Sequence, residues 1–179
     1  MKLFKISTNF KYALADITES YNGADSLSIT SETPEALKNF QYSWLTQDST
    51  IIPNIAIIMS ELFCLDDIAL EALKTSIPDL IQTPMLIGEE RFFSLSNIPV
   101  LKGSMNLKSS KIKYFSTGDI MEIIEPIFNK GDYPNLFKCE EVIGSFFCSE
   151  DFMNIVIDNN LTGIVFEECK VKSKSWFSL

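Results

Sequence analysis

The most regular spacing of apolar residues lies in "LFCLDDIALEALKTSIPD". Leu65, Ile68, Ala69, Ala72, Leu73 and Ile77 recur at three- and four-residue intervals, which places them on one face of a helix. Asp66 or Asp67 stands where a carboxylate meets the free N–H groups and positive dipole end of a first turn, and Pro78 stops the helix. A second helix is predicted after Ser149, a good N-cap, with Phe152, Ile155 and Val156 turned inward and Glu150 and Asp151 in its first turn. Asn159 and Asn160 suit its exit, where a left-handed residue is common. Gly163 follows, and its missing Cβ allows a sharp turn or the close approach of another backbone. A third, shorter helix is predicted from Asp119, with Ile120, Ile123, Ile124 and Ile127 on one side, Glu122 and Glu125 on the other, and Pro126 kinking or ending it.

The remaining apolar runs are short and carry strand character. They fall at residues 3–6, 12–17, 40–45, 84–87, 91–95, 135–139, at "SFFC" after a turn near Gly144, and at 164–166. The runs at 84–87 and 91–95 flank "GEE", a hairpin signal. Residues 19–39, rich in Ser, Thr, Asn and Asp with Gly23 and Pro34, are expected to form a long irregular connection. Residues 102–117, dominated by Ser and Lys, are expected as an exposed loop or an edge strand guarded by lysines. The expected fold is α+β: mostly antiparallel sheet with two to four short helices packed against it. At 179 residues the chain is expected to form one domain, the first fifty residues being its less defined part.

Charge narrows the partners. The net charge is −9 and the pI about 4.5, which argues against nucleic acid, since phosphate binding depends on Lys and Arg. Arg91 is the only arginine, so a fork-like clamp for phosphate is nearly out of reach. Histidine is absent, which removes Ser-His and Cys-His nucleophile pairs and most zinc sites. No cofactor or metal is expected. An acidic surface suits a basic protein partner, whose approach it would accelerate. Cys64, Cys139, Cys148 and Cys169 form no C-x-x-C and sit in apolar runs, as expected for reduced core thiols. No apolar leader segment and no run of ~20 apolar residues is present, so the expected location is cytoplasmic and away from membranes.

Three acidic pairs are candidate partner contacts: Glu89-Glu90 at a hairpin tip, Glu140-Glu141 after a strand, and Glu167-Glu168 in the last strand. Trp44 and Trp176 are candidate anchors, because Trp is enriched at binding hot spots. Each has a plainer reading: solvated charge for the acids, core packing for Trp44, docking of the tail for Trp176. An enzyme using carboxylates is the rival class, drawing on Asp66-Asp67, Glu89-Glu90 or Glu140-Glu141 as general acid and base or as a magnesium site. Adjacent acids in a strand point to opposite faces, which weakens that reading. A structural or adaptor domain, including a self-associating one, is the third class.

The order of these pieces resembles a known family. The stretches are "LFCLDDIALEALKTSIPD", "QTPMLIGEERFFSLSNIPVLKGSMN" and "NLFKCEEVIGSFFCSEDFMNIVIDNNLTGIVFEE". Together, over residues 55–171, they resemble immunity protein family eleven of bacterial polymorphic toxin systems. The resemblance implies a small cytoplasmic protein that neutralises a cognate toxin by direct contact. It implies no catalytic residues, and its matching residues are scaffold types.

Overall fold

The computed structural model describes residues 1–20, 36–45, 49–118 and 120–172. The predicted connection around Gly23 and Pro34, the helix start at Asp119, and Trp176 lie outside them. Element order is β1 (Leu3–Thr8), β2 (Leu14–Ser20), a 3-10 turn (Ala36–Asn39), β3 (Phe40–Leu45), β4 (Ile55–Ile58), β5 (Leu62–Leu65) and α1 (Asp67–Leu73). Then come β6 (Ile81–Ile87), β7 (Glu90–Ser96), β8 (Val100–Leu101), β9 (Lys111–Tyr114), β10 (Ile120–Glu125) and β11 (Ile127–Asn129). The chain closes with β12 (Leu136–Cys139), β13 (Val142–Ser149), α2 (Glu150–Asp158) and β14 (Ile164–Lys172). This is an α+β fold dominated by antiparallel sheet, with two α-helices among the described residues.

A six-stranded sheet in the order β11-β14-β1-β13-β12-β8 is antiparallel except at its two edges, where β11 and β8 pair parallel. A four-stranded sheet runs β4-β5-β7-β6, and β2-β3 and β9-β10 form two separate ribbons. Period-two alternation along the strands builds three apolar layers. Phe63, Leu65 and Leu95 of the four-stranded sheet meet Phe4, Ile6 and Phe146 of the six-stranded one, and α1 and α2 close this interior with Leu73 and Phe152. Phe63 and Phe146 meet edge to face at 5.1 Å, an arrangement favoured by the ring quadrupoles. The alternate residues Ile58, Leu62, Cys64 and Phe92 face the β2-β3 ribbon through Phe40 and Tyr42. On the outer face of the six-stranded sheet, Leu3, Phe137, Phe147 and Cys169 lie under Met105, Ile123 and Phe128.

Both capped helices form where the spacing places them. Asp66 accepts the Ala69 N–H at 2.7 Å and the Asn54 side-chain amide at 2.8 Å. Ser149 accepts the Phe152 N–H at 3.2 Å, and Asn160 takes the left-handed conformation at φ 52°. Helix α1 ends at Leu73, several residues before Pro78.

The predicted third helix is instead strand β10. Its isoleucines are β-branched and stiff at χ1, which favours a pleated surface over a helix. Gly118, at φ 92°, sits in the turn that folds the segment back on β9. The register sets Glu125 opposite Lys111, and the two pair at 3.6 Å across the strands. Of the four isoleucines only Ile123 is buried, and Ile127 already belongs to β11. The turn expected near Gly144 falls two residues after Cys139, on Glu140-Glu141, and Gly144 lies inside β13 at φ 72°. Strand β2 begins at Leu14 because Tyr12 is still in a turn, its N–H on the Asn9 carbonyl. Strand β6 begins at Ile81 and carries Pro84, tolerated because β6 is a sheet edge.

The two sheets are joined at the turn after α2. Thr162 donates its N–H and its hydroxyl to Asn54 Oδ1 at 3.0 and 2.9 Å, and the Ile55 N–H reaches the Thr162 carbonyl at 3.0 Å. Gly163 holds φ 107°, and a Cβ there would stand 1.9 Å from the Ile55 carbonyl oxygen. Only glycine fits such a contact.

Candidate protein-binding surface

The three acidic pairs do not form one cluster. At the β6–β7 turn Glu89 is exposed, while Glu90 accepts the Trp44 indole N–H at 2.9 Å. Trp44 is half-buried with its ring 5.4 Å from Phe92, so Glu90 fastens the β2-β3 ribbon to this hairpin. Asp66, occupied in capping α1, is likewise structural.

The other two pairs belong to the six-stranded sheet, Glu140-Glu141 at the turn between β12 and β13 and Glu167-Glu168 within β14. On β1 Lys5 and Ser7 share the outer face with Leu3, and on β14 Glu167 and Val165 share it with Cys169; on β13 the register slips between Phe146 and Val142, and Ser145 and Ile143 line the same groove as Lys5. Lys5 stands directly opposite Glu167 in the ladder. Glu168 stands opposite Phe4 and so belongs to the other face, as expected for neighbours in a strand. The outer face is therefore apolar and covered at one end, and polar and uncovered at the other.

Between this open end and β10 runs a groove of about 410 Å³, lined by Lys5, Ser145, Ile143 and Val142 on the sheet side and by Ile120, Met121 and Ile123 on the ribbon side, with Glu140 and Glu141 at its end. Glu140 lies within 3.3 Å of Lys102 on the surface, and Glu141 accepts the Gly103 N–H at 2.7 Å, so both carboxylates are held by the chain leaving β8. Ile143 is 91% exposed, the most exposed large apolar side chain among the described residues. Met121 and Ile120 beside it are exposed too.

A second turn packs against β13 at Gly144. Met59 and Ser60, between β4 and β5, both hold positive φ, at 49° and 60°. That is an uncommon, costly conformation for side chains of their kind. Two contacts keep it in place. A Cβ on Gly144 would touch the Ser60 Cβ at 3.0 Å, and Glu61 pairs with Lys138 at 2.7 Å, the lysine only 13% exposed and lying over the Phe146 ring at 4.9 Å. The exposed Met59 is thus fixed next to the strand that carries Ile143.

The covered chemistry is inert. All four cysteines are free and buried. Burial pushes the Cys64 and Cys169 thiols up to about 12 and the Cys139 thiol to about 11, far from a reactive thiolate. Burial raises Cys148 as well. Glu125 is held below the usual carboxylate range by a hydrogen bond from Lys170, with Lys170 and Lys111 charges adding to it, on an exposed surface. Among the described residues no group of three Cys, Asp or Glu side chains gathers as a metal site, and no helix is long and apolar enough to cross a membrane.

Lys5, Ile143, Met59, Ile120 and Met121 escape a reading of residue types. Their signal is positional: Ser145 shares a face with Ile143, which marks that end of β13 as uncovered once the register is known. Trp176 lies outside the described residues. No family model matches the chain, and no curated protein is similar to it.

Proposed function

We propose that this chain is a cytoplasmic immunity protein that binds a cognate bacterial toxin and neutralises it by direct protein–protein contact. The observation that carries this reading is the open end of the six-stranded sheet, where an acidic chain leaves Ile143, Ile120 and Met121 in solvent along a groove that ends at Glu140 and Glu141. Apolar side chains within a charged rim are the usual anatomy of a protein interface. The net charge of −9 would draw in a basic toxin and speed its capture, and buried apolar contact would slow its release. The likeness of residues 55–171 to the immunity family points the same way and rests on the quoted stretches alone.

The test is genetic and direct. Genes neighbouring this one are screened for a toxin, and each candidate is expressed with and without this chain in a sensitive host. Survival only in its presence, with a stable complex of the two purified proteins, supports the reading. Killing that this chain does not relieve overturns it.

A further inference from the structure

We infer that the groove between β10 and the start of β13 is the docking site, and that its occupant is a basic segment of the toxin polypeptide carrying an apolar side chain next to Lys or Arg. This rests on the neutralising role proposed above and specifies its contact.

Three features select that occupant. The apolar walls, Ile120, Met121 and Ile143, ask for an apolar side chain, and Ile143 at 91% exposed has the most contact area to gain. The acidic margin, Glu140 at the groove's end and Glu167 across the ladder from groove-lining Lys5, asks for cations beside it. Glu167 is matched within the chain only by Lys5 across the ladder and Glu140 by an exposed lysine, both weak pairs that a partner's Arg can replace. The site is also preformed. Glu141, at the groove's end, already accepts the Gly103 N–H at 2.7 Å, so little ordering cost falls there on binding.

The probe is the purified, catalytically disabled effector domain of the neighbouring gene, titrated against full-length variants by calorimetry and stopped flow. Ile143→Ser, which leaves charge unchanged, is expected to weaken binding about 30-fold or more, with the melting temperature of the free protein unchanged. Glu140→Lys with Glu167→Lys is expected to slow association about tenfold at low salt, the difference shrinking as salt is added. Glu89→Lys, on the other sheet, is expected to change affinity less than about twofold. An effector that binds wild type and Ile143→Ser alike overturns this docking site and leaves the neutralising role standing. An effector that does not bind wild type overturns both.

Discussion

The two halves of the outer face of the six-stranded sheet are built on the same three strands and obey the same alternation, yet their chemistry diverges. Toward one end, Leu3, Phe147 and Cys169 lie under Met105, Ile123 and Phe128. In the next row Lys5 stands between Glu167 and Phe147, and beyond it Lys5 and Ser145 line the groove under β10. Along β1 and β14 the outward positions turn from apolar to polar away from that cover, save Val165, which is exposed. Ile143, at 91% exposed, gains least from folding among the large apolar residues described, which singles it out for a partner.

The comparison breaks most visibly through packing. Phe147→Ala removes a ring that stacks on Phe137 at 5.7 Å and meets Phe128 at 5.1 Å, and should cost about 3–5 kcal/mol in denaturant unfolding. Lys5→Ala, two residues along the same face of β1 from Leu3, should stay within about 0.5 kcal/mol, and a larger loss would mean the open half is core after all. Next comes Gly163→Ala, behind the sheet's inner face. The new Cβ meets the Ile55 carbonyl and an unfavourable backbone region together, for about 3 kcal/mol or outright failure to fold, read by the same unfolding curves.

A smaller effect separates the halves by pH. Cys139 and Cys169 lie in the covered half with thiols raised from 9.0 to about 11 and about 12, so the folded chain keeps protons that the unfolded chain releases. Their contribution to stability is whole below about pH 9 and is lost as pH rises toward 11–12. The melting temperature should hold near neutrality and fall above pH 9, and Cys139→Ala with Cys169→Ala should flatten that fall. A thiol reagent at neutral pH should leave all four cysteines unmodified in the folded protein, since all are buried.

The fold was legible where one local signal settles the matter. Asp66 and Ser149 cap the helices their side chains announce, and "NNLTG" contains both the left-handed Asn160 and the close contact at Gly163. The segment after Gly118 was misread because Ile120, Ile123 and Ile124 satisfy a helical spacing by accident, while pairing with β9 lies outside any local window. The binding surface was only half legible. Glu140 and Glu167 stand beside it as acids, but Glu90 is tied to Trp44 and Glu168 belongs to the opposite face. Telling these apart needs the strand register and the cover above each strand, both set by residues far apart in the chain.

Amide hydrogen exchange of this chain, alone and saturated with the disabled effector domain, tests the central claim most directly. Slowed exchange confined to β10 and residues 140–145 is the result expected. Protection that falls on α1, α2 or the β6–β7 turn, with those two segments unchanged, would contradict it.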